Sequence, residues 1–211
     1  MNIISHRGCW SSEREGNSLS ALCSSLQNGF GLETDLRDLN GVVVISHDMP
    51  QTSSEPLLFD EFLDYYRKVK TNLPLALNIK SDGLQKKVKA SLDAYNVDNY
   101  RLFDMSIPDQ KITRDHGLKF LSRLSDIEPQ ALMIEDSSGV WLDAFYTDWF
   151  GIALIDEFLA VNKEVWIVSP ELHGRDHQNL WSLLKSYSGI GRSSIFLCTD
   201  FPLEAQEYYN E

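Results

Sequence analysis

Gly31-Leu32-Glu33-Thr34-Asp35-Leu36-Arg37-Asp38, then Asn40-Gly41, then Val42-Val43-Val44-Ile45-Ser46-His47-Asp48 is the stretch that decides the fold. Its first half, Gly31 to Asp38, reads as a strand that leads into a turn. Asn-Gly is the strongest short hairpin signal, because both positions of the favoured two-residue turn need positive φ. The second half is an apolar run that ends on an imidazole. The reading is strand, tight turn, return strand, with charged groups at both strand ends.

Working outward, the same grammar repeats. Upstream, residues 2–5 form a short apolar strand ending at His6. A helix follows over 17–28, with Ser18 or Asn17 as its cap and Gly29 as its stop. Downstream come a helix over 59–70, a strand over 74–79 ending at Lys80, and a helix over 83–95. In that last helix Leu84, Val88, Leu92 and Tyr95 share one face. Strands are expected over 100–105, 119–124, 140–145, 164–169 and 194–199. Helices fit over 152–161 and 177–186 and after Pro202, while the stretches after Met105 and Ser125 carry weaker signals. With the hairpin counted as one unit, eight strands alternate with helices. That is the pattern of a parallel α/β fold, and at 211 residues it implies one compact (β/α)8 barrel domain over 1–211.

Composition narrows the function. The chain is 43% hydrophobic, enough for a sizeable core, and carries a formal net charge of −12. Such acidity argues against nucleic-acid binding and against anionic lipid surfaces. A phosphorylated substrate would need local positive charge. Cys9, Cys23 and Cys198 are odd in number and fit no metal knuckle, so they read as reduced thiols. Residues 1–5 have neither a basic region nor a long apolar run. The expectation is no signal peptide, no membrane insertion and a cytoplasmic address.

Barrel enzymes build their sites at the C-terminal ends of the strands. Those ends carry His6 and Arg7, Glu33 and Asp35, His47 and Asp48, Asn78 and Lys80, Asp104 and Ser106, Thr199 and Asp200. Glu33 and Asp35, two apart on a strand, face the same way. Their repulsion calls for a hard divalent cation between them, or for Arg or Lys neighbours. His6 and His47 can divide acid and base roles, and Arg7 and Lys80 can clamp an anion. These parts suit a small-molecule phosphodiester substrate. Trp166, on a later strand, is a candidate pocket-lining residue. His173 and His177 read as a solvated loop, and His116 as a helix-end residue.

At these residues the chain resembles the glycerophosphodiester phosphodiesterase family. The likeness lies in Ile4-Ser5-His6-Arg7-Gly8, Asn17-Ser18-Leu19, Gly31 to Leu36 and Gly41 to Asp48. Weaker echoes follow in Leu77-Asn78-Ile79-Lys80 and Cys198-Thr199-Asp200-Phe201-Pro202. The resemblance implies a (β/α)8 barrel and a divalent metal (Mg2+, Ca2+ or Mn2+) on Glu33 and Asp35. It implies His6 and His47 as the acid/base pair, and Arg7 and Lys80 as phosphate ligands. Three features depart from the family. Asn78 stands where a third carboxylate ligand is usual, leaving its amide oxygen, or Asp104, to complete the metal site. The usual small insertion after the His-Asp motif is missing. The usual Glu-Asn pair before the first helix is stretched to Glu15-Gly16-Asn17. Two alternatives stay open: a lyase-type phosphodiesterase that forms a cyclic phosphate, with Trp10, Trp149 and Phe150 as an apolar rim, and a non-catalytic barrel with a degraded metal site. A barrel using Lys80 for Schiff-base chemistry is disfavoured by the paired motifs.

Overall fold

The structure is a computed structural model that describes residues 1–12, 15–189 and 192–210. The chain divides into two compact units, Ser5–Phe120 and Met1–Ile4 with Leu121–Glu211.

In the first unit the elements are the end of β1 (Asn2–His6), α1 (Leu19–Gln27), β2 (Gly31–Leu39), β3 (Val42–Ile45), α2 (Phe59–Lys68), β4 (Leu75–Ile79), α3 (Gln85–Tyr95), β5 (Tyr100–Phe103) and α4 (Ile107–Asp115). The hydrogen-bonded order is β5-β4-β2-β1, with β3 off that path, paired to β2 and bridged at Val44 to Leu58. The β2–β3 turn takes φ of 50° at Asn40 and 86° at Gly41, as the Asn-Gly signal requires. Antiparallel register sets Leu36 against Ile45 and Leu39 against Val42. Helix α2 shows why these segments dock: Phe59, Phe62, Leu63 and Tyr66 are buried at helical spacing. Each large apolar side chain so buried contributes about 1.5–3 kcal/mol.

The second unit holds β6 (Leu121–Leu124), β7 (Gly139–Leu142), α5 (Ile152–Ala160), β8 (Glu164–Val168), α6 (Gln178–Ser186), β9 (Ile195–Thr199) and α7 (Pro202–Asn210). Its order runs from β1 through β9, β8 and β7 to β6. Val140 and Leu142, Val165 and Ile167, and Ile195 and Leu197 alternate along their strands. They pack in one buried cluster with Ile155, Leu180, Trp181 and Leu184 from the helices.

Eight parallel strands with intervening helices make this the expected (β/α)8 barrel, and β3 is an added antiparallel strand. Two weak segments resolve differently. Residues after Met105 do form α4, capped by Ser106 and opened by Pro108. Between β6 and β7 there are only turns, with Pro129 and a left-handed Met133 interrupting the segment. Among the described residues no helix is long and apolar enough to cross a membrane.

Candidate active site

The site in the first unit is assembled on β2. Glu33 and Asp35 are only 2% and 1% exposed, yet both are charged-type side chains on one strand face. Parallel pairing with β4 sets Glu33 beside Ala76 and Asp35 beside Asn78, so Asn78 shares that face. Lys80, two residues past Asn78, points its Nζ to 3.5 Å from Asp35 Oδ1 and 3.7 Å from Asp104 Oδ2. Its main-chain N–H donates to Leu36 O at 3.0 Å, which holds the strand end in place.

The turn after β1 brings the remaining groups. Arg7 takes a φ of 56°, and Gly8 a φ of 96°. A Cβ on Gly8 would lie 2.5 Å from the carbonyl carbon of Ala21, so only glycine lets the turn pack on α1. Arg7 N–H donates to Glu33 O at 3.0 Å and lies 3.2 Å from Glu33 Oε2, while its Nε lies 3.1 Å from Asp35 Oδ2. His6 Nε2 is 3.8 Å from Glu33 Oε2. The Trp10 indole N–H donates to His6 O at 2.9 Å and ties the turn down.

Asn17 belongs to the same cluster, a role the sequence reading reduced to a possible helix cap. Ser18 caps α1, its side chain accepting from Ala21 N, while Asn17 Nδ2 donates to Asp35 Oδ2 at 2.8 Å. Arg7, Asn17 and Asp104 all carry positive φ. For residues other than glycine that conformation costs about 1–3 kcal/mol, and such outliers gather at functional sites.

The electrostatics follow from burial. Glu33 is pushed up from 4.5 to about 7, by burial first and by the Asp35 charge second, with His6, Arg7 and Lys80 pulling the other way. Among the described residues no three His, Cys, Asp or Glu side chains converge as a metal-holding group. The amide of Asn78 extends the donor set. Asn78 Oδ1 and Asp35 Oδ1 are both shut from solvent, with no hydrogen-bond donor among the described residues. Buried acceptor oxygens left open in this way, beside a second carboxylate, fit a hard oxygen-seeking cation.

His47 stands apart. Ser46 N–H donates to Asp35 O at 3.0 Å, placing the end of β3 beside β2. The His47 ring is 46% exposed and pairs through Nδ1 with Asp48 Oδ1 at 2.9 Å, while Arg37 Nε donates to its carbonyl. Residues 49–58, which include a 3-10 turn at Thr52–Ser54, join this motif to α2.

In the second unit Trp166 is 1% exposed, stacked on Phe196 at 4.1 Å, and its indole donates to Glu164. His173 and His177 are not a solvated loop. His173 Nε2 lies 2.7 Å from Asp143 Oδ1 and packs on Phe145. His177 sits between Glu171 and Glu204, against Trp181. Asp143 lies 30 residues from His173, and Glu204 comes to His177 from the last helix, so local composition does not show these pairs. His116 caps α4 as expected, its Nδ1 2.8 Å from Ile112 O. Trp149 and Phe150 meet edge to face and pack against the apolar cluster.

No family sequence profile matches the chain, and no curated protein sequence matches it. Among solved structures it is similar to a protein of Galdieria sulphuraria assigned as a glycerophosphodiester phosphodiesterase. The TM-score is 0.79 at 13% identity, over 100% of this chain and 98% of that one. It is also similar to the glycerophosphodiester phosphodiesterase of Agrobacterium tumefaciens str. C58, with TM-score 0.70 at 16% identity, over 99% and 98% of the two chains. At these identities the likeness is one of fold, and over its whole length this chain shares the barrel fold of those two structures.

Proposed function

We propose that the protein is a metal-dependent phosphodiesterase acting on a glycerophosphodiester or a related alcohol phosphodiester. The observation that carries this reading is the buried Glu33–Asp35 pair, set beside the open Asn78 amide oxygen and ringed by His6, Arg7 and Lys80. The fold shared with the Agrobacterium glycerophosphodiester phosphodiesterase supports it.

Glu33, Asp35 and Asn78 would hold the cation, Mg2+, Ca2+ or Mn2+. When bound there, it neutralises charge developing on a phosphoryl oxygen. Arg7 and Lys80 bind and orient the phosphate, Arg7 with a planar fork and Lys80 as a point charge. Both already lean on Asp35, so their positions are set before substrate arrives. His47 has its Nδ1 occupied by Asp48, which leaves Nε2 to take or give a proton. His6 supplies the other proton transfer. One imidazole removes the proton from the attacking hydroxyl or water, and the other protonates the leaving alkoxide. The net acidity of the chain favours a small-molecule partner over non-specific nucleic-acid binding.

The test is hydrolysis of an activated phosphodiester and a panel of glycerophosphodiesters, with each cation and with chelator. Cation-dependent turnover upholds the reading. A cyclic phosphate product without incorporation of solvent oxygen would favour the lyase-type alternative. A second reading, a binding barrel without catalysis, rests on Asn78 in place of a carboxylate. Calorimetry that finds no binding of millimolar Mg2+, Ca2+ or Mn2+ would favour it.

A further inference from the structure

Asn17 precedes the cap of α1, and its backbone is turned out of the helix with φ of 65°. Asn tolerates that region better than most residues, because its short side chain bonds locally. Here the turn sends its main-chain N–H to Arg7 O at 2.9 Å. It also sends the amide to β2, where Thr34 Oγ1 donates to Asn17 Oδ1 at 2.6 Å and Asn17 Nδ2 donates to Asp35 Oδ2 at 2.8 Å. The amide orientation is fixed by its neighbours. A carboxylate only accepts, so it must face the NH2 group, and the Thr34 hydroxyl is then free to donate to the amide oxygen.

The consequence falls on Asp35. Its Oδ2 is engaged by Asn17 and by the Arg7 guanidinium at 3.1 Å. Among the described residues its Oδ1 receives no hydrogen bond, although it is shut from solvent, and Lys80 Nζ stays 3.5 Å away. The neighbouring position on β4 repeats the condition: Asn78 Oδ1 is buried and open too. Turning the plane of the Asp35 carboxylate would carry the accepting oxygen away from the Asn17 amide, so that hydrogen bond opposes the rotation.

We infer that Asn17 is a positioning residue for the cation site. Its amide, itself oriented by Thr34, locks Asp35 so that Oδ1 is presented together with Asn78 Oδ1. This rests on the cation reading of the Glu33–Asp35–Asn78 group. Groups that orient metal-binding side chains in this way typically carry 10- to 100-fold in metal affinity.

The experiment compares Mn2+ affinity by calorimetry with thermal unfolding in chelator, for wild type, Asn17→Gly and Thr34→Val. Glycine accepts the positive φ, so Asn17→Gly removes the amide without straining the turn. The expected result is Mn2+ binding weakened about 10- to 100-fold in Asn17→Gly, with a chelator-state midpoint close to wild type. Thr34→Val should weaken binding by a smaller factor, at least threefold. Wild-type affinity in Asn17→Gly overturns the positioning role. Should that variant not fold, Thr34→Val decides alone, and unchanged affinity there overturns it. A wild-type protein that binds no Mn2+ contradicts the cation reading itself, a result distinct from retained binding in the variants.

Discussion

Replacing Glu33 by Gln should make the cation-free protein more stable while removing its chemistry. Glu33 is 2% exposed and sits beside Asp35, so the folded chain favours its protonated form. Its pKa in the folded protein is about 7, against 4.5 when unperturbed. A raised carboxyl pKa means that the fold binds the proton more tightly than the unfolded chain does. The stabilisation is therefore complete below 4.5 and is lost as pH rises from 4.5 through about 7. The full penalty at pH 8 is roughly 3 kcal/mol. Gln has the same shape, carries no charge, and keeps an acceptor for the Arg7 N–H. In chelator at pH 8, Glu33→Gln should melt about 6–12 °C above wild type, at about 2–4 °C per kcal/mol for a chain of this length. The two curves should converge towards pH 4.5. Scanning calorimetry across this range is the assay. A variant no more stable than wild type at pH 8, or one offset equally at both ends of the range, would refute the reasoning. Added cation should rescue wild type at pH 8 and leave Glu33→Gln where it was.

Other expectations follow from the same geometry. Lys80→Met should lower turnover of a phosphodiester by about 10²-fold, as loss of one preorganised charge donor does, with folding intact by circular dichroism. Gly8→Ala should destabilise the protein by about 1–3 kcal/mol in urea titration, because its Cβ would meet the Ala21 carbonyl in a backbone conformation that alanine avoids. Asn78→Glu should tighten cation binding by about tenfold or more in calorimetry, since affinity for hard cations rises with ligand charge, and it should lower stability in chelator by adding a third buried charge.

The hairpin and its carboxylates were legible because their signals are local. Asn40-Gly41 encodes its own turn, and Glu33 and Asp35 share a face in any strand. Helix α4 was half legible: Ser106 and Pro108 mark its start, but its apolar face is thin. The turns after Ser125 looked like an undecided helix because no local rule outweighs the prior of alternation. In the sequence Asn17 and Ser18 compete for the cap, and only the positive φ of Asn17 separates them. His173 finds its carboxylate on Asp143 and His177 a second one on Glu204, and no short window of sequence pairs either. The direction of the His47 ring, set by Asp48, was likewise beyond a strand-end rule. Trp166 reads the same whether it lines a pocket or packs, and in the folded chain it stacks on Phe196.

The central claim is that two histidines work with one cation on a phosphodiester. The most direct measurement is kcat/KM on the best phosphodiester for wild type, His6→Ala and His47→Ala, each with cation and with chelator. The prediction is cation-dependent turnover in wild type and a loss of at least about 10²-fold in each variant. Turnover that survives in both variants, or is indifferent to the cation, would contradict it.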